Sequence, residues 1–297
     1  MVLPVILVTG ANGQLGSAIK KLSAGYPQYA FIFPGREELP VQEAARVQAW
    51  FDGKRPAFCI NCAAYTAVDR AETERDTAML VNGTAAGILA AACKSTGTKF
   101  IHISTDYVFD GKGSEPYKEE DATSPVNYYG ATKLKGEELC MKNNSDSVII
   151  RTSWVYSEYG NNFVKTMMRL MKERPTLNVV NDQLGSPTCA LDLASLLLSI
   201  VESAGPGVEK WVPGIYHFSN DGVISWYDFA VAIKKLTGSN CAVHPVSTAM
   251  YPTPAKRPAY SVFNTNKVKS TYHIAGKNWL TSLSEVIDRL KSTPGIA

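Results

Sequence analysis

No stretch of the 297 residues approaches the run of about 18 uninterrupted apolar positions that a bilayer-spanning helix needs. The opening segment, Met1 to Gly10, has no charged residues ahead of its apolar run, so a secretory signal is not expected either. Cysteines number six, too few and too scattered for a disulfide framework. Cys59 and Cys62 make a C-x-x-C, but no second pair or histidine-rich partner follows at zinc-site spacing. Two cysteines in a buried strand and the turn after it are the simpler reading, and no metal site is expected. Charge of one sign is lacking too: 30 Lys and Arg stand against 27 Asp and Glu, a net of +3 with no basic block. Nucleic-acid binding therefore has no electrostatic footprint. There are no internal repeats and no low-complexity segments. A protein of the cytoplasm, with neither membrane nor nucleic acid as partner, is the expectation.

What remains is ordinary globular chemistry, 45% hydrophobic and 19% charged, in a chain long enough for one α/β body with a smaller appended lobe. Short apolar runs at Val5–Val8, Phe31–Phe33, Phe58–Ile60, Phe100–Ile103 and Val148–Ile150 read as buried strands. Between them, Leu15–Leu22, Gln42–Phe51, Ala78–Lys94 and Tyr128–Met141 have helical spacing. This alternation predicts right-handed crossovers and a doubly wound, Rossmann-type parallel sheet, with ligands at the carboxyl ends of its strands. After Arg151, breakers such as Gly160, Pro175, Gly185 and Pro187 shorten the pieces, and aromatic or proline-rich segments appear at Trp154–Tyr159, Trp226–Phe229 and Tyr251–Pro258. The reading is a dinucleotide-binding domain over 1–150 and a substrate lobe over 151–297, interleaved with helices that return to the sheet near 190–203.

Val5-Ile-Leu-Val-Thr-Gly-Ala-Asn-Gly-Gln-Leu-Gly16 runs from strand through glycines at 10, 13 and 16 into a helix. Gly10 permits the tight turn, Gly13 lets backbone amides approach a pyrophosphate, and Gly16 lets helix pack on strand. The anion then sits at the positive end of the helix dipole. The G-x-x-G-x-x-G spacing points to short-chain reductases rather than hydroxy-acid dehydrogenases.

Asn127-Tyr-Tyr-Gly-Ala-Thr-Lys133 sets Tyr129 and Lys133 four residues apart, on one face if helical. An ammonium about 4 Å from the phenol, worth about 4 kcal/mol at an effective dielectric of about 20, would lower the phenol pKa by about 3. That suffices for a general acid. Ser104 and Thr105 end the apolar strand Phe100–Ile103, where a hydroxyl can hold a substrate carbonyl or merely cap the loop.

On these residues the chain resembles the extended short-chain dehydrogenase/reductase superfamily and, more closely, its dTDP-4-dehydrorhamnose reductase family. The stretches that carry the likeness are Gly10–Gly16, Asn61–Asp69, Ser104–Gly111, Tyr129–Lys133, Arg151–Tyr156, Gly160–Phe163, Asn181–Thr188 and Tyr251–Pro258. The resemblance implies reduction of the C4 keto group of dTDP-4-dehydro-L-rhamnose by NAD(P)H. Tyr129 would be the proton donor, Lys133 its electrostatic partner and a ribose ligand, and Thr105 the carbonyl-orienting hydroxyl. Asn12, Gly13, Gln14 and Leu15 would meet the pyrophosphate, and Ala63, Ala64 and Tyr65 would line the path from adenosine to nicotinamide. Asp106 and Trp154 fall where the family contacts the sugar, with Ser104 and Thr66 as further candidates; Trp154 could equally be a core residue at a lobe boundary. The alternatives are a non-catalytic regulatory subunit of the same fold, or a reductase or epimerase of another nucleotide sugar.

Two departures from the family stand out. The acid expected at the end of the second strand, where it would hold the adenosine ribose, is missing, and Pro34-Gly35-Arg36 stands there instead. This favours NADPH, with Arg36 on the 2′-phosphate and NADH still accepted. Some relatives dimerise through a magnesium site on first-helix glutamates; Ser17-Ala-Ile-Lys-Lys21 has no acid, so magnesium is unsupported and either a monomer or a homodimer is open.

Overall fold

A computed structural model describes residues 3–292 apart from 206 and 209; residues 1–2, 206, 209 and 293–297, which the expected domain spans include, lie outside the described residues. Each of the five apolar runs becomes a strand: β1 (Val5–Thr9), β2 (Ala30–Ile32), β3 (Phe58–Asn61), β4 (Lys99–Thr105) and β5 (Val148–Thr152). The helices between them are α1 (Gln14–Leu22), α2 (Ala44–Lys54), the short α3 (Val68–Ala71) and α4 (Arg75–Met79), α5 (Ala85–Thr96) and α6 (Tyr128–Asn143). α1 buries Leu15, Ala18 and Ile19 on one face and ends in Lys20 and Lys21, which complement the negative end of its dipole.

One strand comes from beyond the boundary at residue 150. After β6 (Val155–Tyr156), α7 (Phe163–Glu173), β7 (Thr176–Val180), β8 (Leu184–Gly185), β9 (Thr188–Cys189) and α8 (Ala190–Ser203), the chain re-enters the sheet as β10 (Gly214–Phe218). The sheet order is β10-β5-β4-β3-β1-β2, and every pair is parallel. The apolar sequence of α8 makes this necessary: Leu193, Leu196, Leu197 and Ile200 are buried in the same core as Ile6, Ile19 and Val148, so the second half of the chain completes the layer that the first half leaves open.

The helical run from Arg75 to Thr96 is long and apolar enough by composition to cross a membrane. Here it lies against protein: Leu89, Ala90 and Cys93 pack with Val47 and Phe51 of α2, Phe100 of β4 and Cys140 of α6. It is interrupted by one π-helical turn, Leu80–Thr84, the kind of insertion that re-aims a side chain.

A second core, built on Tyr156, Val164, Met167, Phe229, Ile233, Leu283 and Val286, joins α7 and β7 to β11 (Ile224–Ser225), α9 (Trp226–Thr237) and β12 (Ala242–Val246), while α10 (Asn266–Tyr272) returns to the first core through Val268 and Tyr272 and α11 (Trp279–Ser292) closes the second. Ser225 and Asp228 form a reciprocal capping box that starts α9.

Candidate active site

The glycine turn has the geometry its spacing calls for. Gly10 adopts φ +66°, and a Cβ there would stand 2.6 Å from the Ala63 amide nitrogen and the Cys62 carbonyl. A Cβ on Gly16 would collide with the Gly10 carbonyl oxygen. Only hydrogen fits at either place. Gly13 precedes α1 with no side-chain cap on the helix, so the first-turn amides are left to an outside acceptor. A cradle that a Cβ would fill, at an uncapped helix start, fits a pyrophosphate.

Two cavities meet over this turn. One, of about 310 Å³, is lined by Gly10, Asn12, Gly13, Pro34, Gly35, Arg36, Ala63 and Ala64, among others. The second, of about 500 Å³, shares Gly13, Cys62, Ala63 and Ala64 with it and continues past Gln14, Leu15, Gly16 and Thr66 to Ser104, Thr105, Asp106, Tyr129, Lys133 and Trp154. The candidate cofactor and substrate residues thus converge on one continuous cleft at the carboxyl edge of the sheet. Tyr65 is the exception. Its phenol is tied to Glu74 Oε2 at 2.7 Å, and its backbone to Asn82, so its side chain lines neither cavity.

Ser104 and Thr105 do not play equal parts. Successive residues of a strand face opposite sides, and the Ser104 hydroxyl donates to the buried carboxylate of Glu137. Glu137 is in turn paired with Arg151 at 2.8 Å, each about 3% exposed. The hydroxyl of Ser104 is therefore committed to a structural network, contrary to its expected role at a substrate carbonyl. Thr105 remains: its hydroxyl donates to Asp106 Oδ1 at 2.9 Å and accepts from the Tyr107 amide at 3.3 Å.

The electrostatics also differ from the sequence expectation. Burial pushes the Tyr129 phenol above its ordinary value, the Asp106 carboxylate adds to this, and the Thr105 side chain opposes it. Lys133 does not lower the phenol as the four-residue spacing suggested, because its ammonium points back into the sheet and donates to the Ile103 carbonyl at 2.6 Å. Burial in turn brings Lys133 down to about 8, against the opposing pull of groups including Glu137. Asp106, also buried, is pushed up to about 6 by desolvation, and its Oδ2 has no hydrogen-bond partner.

Trp154 sits where the chain leaves β5, in the left-handed region at φ +48°, a conformation few bulky residues adopt. Its ring stacks on Trp226 with centroids 3.6 Å apart and planes 10° apart. Gly185 leaves it room, since a Cβ there would meet the indole at 2.6 Å. Arg36 stands exposed at the far end of the smaller cavity.

Two functional positions have only faint sequence signals. Asn82 is a polar residue inside an apolar helix. The π-helical turn carries it inward, where it donates to the Tyr65 carbonyl at 3.0 Å and to Thr132 Oγ1 at 3.0 Å, tying the loop after β3 to α6. Glu137 follows Lys133 by one helical turn, but its partner Arg151 lies on another element. No group of three or more His, Cys, Asp or Glu side chains suited to a metal occurs among the described residues.

A parallel sheet with a glycine cradle and a Thr–Tyr–Lys cluster at its carboxyl edge defines a nicotinamide-type oxidoreductase fold of the extended short-chain dehydrogenase/reductase class. Within that class the chain belongs to the RmlD substrate binding domain family, which matches residues 4–292. A dTDP-4-dehydrorhamnose reductase of Aggregatibacter actinomycetemcomitans is 42% identical over 287 residues, spanning 95% of this chain and 97% of its own length. The crystal structure of a Clostridium acetobutylicum dTDP-4-dehydrorhamnose reductase has a TM-score of 0.91 at 42% identity, covering 97% of this chain and 99% of its own. The Bacillus anthracis enzyme of the same name, solved in complex with NADP, also scores 0.91 at 38% identity, covering 97% and 100%.

Proposed function

We propose that the protein reduces the C4 keto group of dTDP-4-dehydro-L-rhamnose to dTDP-L-rhamnose, with NADPH as the preferred donor. The observation that carries this reading is the convergence of Thr105, Tyr129, Lys133, Asp106 and Trp154 on a cavity continuous with the glycine cradle. Relatives at 42% identity named as this reductase support the choice of substrate, and the NADP complex of a 38% identical neighbour supports the cofactor.

The dihydronicotinamide supplies the hydride when bound. The protein's own residues do the rest. The amides at the start of α1, with Asn12, Gly13, Gln14 and Leu15, hold the pyrophosphate, while Ala63, Ala64 and the Tyr65 backbone border the path between the two ends of the cofactor. Lys133, which lines the cavity, would hold the nicotinamide ribose. Thr105 orients the substrate carbonyl oxygen, and Tyr129, whose raised pKa keeps its proton in place at neutral pH, delivers that proton to the oxygen as negative charge develops. The unpartnered Oδ2 of Asp106 is an acceptor for a sugar hydroxyl, and the Trp154 ring, which lines the cavity, offers the deoxysugar an apolar wall.

A regulatory subunit of the same fold would not require Thr105, Tyr129 and Lys133 to be gathered in one cleft. Incubation with dTDP-4-dehydro-L-rhamnose and NADPH, followed by loss of NADPH absorbance and NMR of the product, tests the reading. Formation of dTDP-L-rhamnose is the expected result, and no NADPH consumption would refute it.

A further inference from the structure

The Tyr251–Pro258 motif plays no part in the chemistry above, yet the structure anchors its second half against the mouth of the cleft. The Ala255 amide donates to Asp69 Oδ1 at 3.1 Å, and the Lys256 carbonyl accepts from Asn127, the residue that caps α6, at 2.8 Å. Pro258 packs so closely on Gly111 that a Cβ there would stand 2.5 Å away. The segment is thus pinned both to α3, whose first residue Val68 lines the cavity, and to the helix that bears Tyr129 and Lys133.

Between these pins lies Arg257. Its guanidinium donates to the Ala255 carbonyl at 2.9 Å and to Asp69 Oδ2 at 2.9 Å. The arginine side chain is 20% exposed and Asp69 is 41% exposed. Both charges also reach the phenol of Tyr107, a cavity-lining residue whose ring meets Tyr129 edge-on at 5.5 Å. A nucleoside diphosphate carries two or more negative charges into this cleft. Among the described residues that line the cavity, the one cation is Lys133, which is buried and is assigned to the cofactor ribose.

On the reading that the substrate is a nucleotide sugar, we infer that Arg257 is a specificity-determining residue that binds the substrate diphosphate, with Asp69 holding the guanidinium until the diphosphate replaces it. The planar fork matches two phosphate oxygens, and such a contact is charge-assisted and bidentate. Asp69 is exposed enough to turn to water once released, and a half-exposed ion pair is a weak competitor for the guanidinium.

The two partners should respond with opposite signs. Arg257→Met should raise KM for the nucleotide sugar about 10- to 100-fold, with kcat within about twofold and the Kd for NADPH unchanged. Asp69→Asn should leave that KM the same or lower it by up to about fivefold. Arg257→Lys, which keeps the charge but not the fork, should fall between wild type and Arg257→Met. Calorimetric titration of the NADP-loaded protein with dTDP alone should show the same order of affinities, and raised salt should weaken wild type more than Arg257→Met. Were Arg257 only a strut, both substitutions would lower Tm and raise KM together; that result, or a wild-type dTDP affinity in Arg257→Met, would overturn the inference. Wild type that binds dTDP but does not turn over the keto sugar would refute the proposed reaction instead, while the dTDP titration would still decide Arg257.

Discussion

Replacing Lys133 by methionine should make the protein more stable and inactive at once. The lysine is buried, and its ordinary value of 10.5 is brought down to about 8, chiefly by desolvation. At about 1.4 kcal/mol per tenfold, a charged Lys133 at pH 7 costs the fold about 3 kcal/mol. Methionine keeps most of the aliphatic stem and forfeits the hydrogen bond to the Ile103 carbonyl, worth about 1 kcal/mol. The net gain is about 2 kcal/mol. A chain of 297 residues unfolds with an entropy of about 0.6 kcal/mol per kelvin, so Tm should rise by about 3 K.

The pH dependence identifies the cause. Between about 8 and 10.5 the unfolded lysine still holds a proton that the folded one has released. The unfolded state therefore binds more protons, and wild-type stability rises with pH across that window. Below pH 8 both states are protonated and the cost is fully present. Melting curves of wild type and Lys133→Met at pH 7 and at pH 10 should show the variant ahead at neutral pH and the gap closing at alkaline pH. A variant that melts below wild type at pH 7, or a gap that does not change with pH, refutes the reasoning. On the proposed role of Lys133 as a ribose ligand, the same cost would be offset by the ribose hydroxyls, so the variant should also bind NADPH more weakly.

Tyr129→Phe should keep cofactor affinity and lower kcat by about two to four orders of magnitude, since it removes the proposed proton donor and little packing; single-turnover kinetics with NADPH check this, and near wild-type turnover would exclude the role. Trp154→Ala should raise KM for the nucleotide sugar and leave the Kd for NADPH unchanged, because Trp154 lines the larger cavity but not the smaller one that holds Arg36; equal losses in both would mark Trp154 as packing alone. Arg36→Ala should erase most of a tenfold to hundredfold preference for NADPH over NADH, the range expected of one exposed charged contact. Comparing kcat/KM for the two cofactors decides this, and a preference untouched by the substitution assigns the 2′-phosphate to another group.

The alternation of apolar runs and helical spacing determined the parallel sheet by itself, because a strand buried on both faces must be apolar throughout and a helix covering it must be apolar on one side. The glycine turn was equally legible, since Gly10 and Gly16 stand where only hydrogen fits. The spacing of Tyr129 and Lys133 determined that they share a helix face. What they do to one another was decided by tertiary structure, because the direction of a lysine stem depends on which acceptor, here the Ile103 carbonyl, the fold brings within reach. The same holds for Ser104, whose commitment to Glu137 and Arg151 joins β4, α6 and β5. Asn82 became visible only through a π-helical turn that no spacing announces. β10 entered the sheet because α8, more than forty residues beyond Tyr156 at its end, supplies the apolar layer that strand needs. Local periodicity sets which surfaces must be buried; which distant surface does the burying, and where a long polar side chain then finds its partner, depends on contacts between residues far apart in the chain.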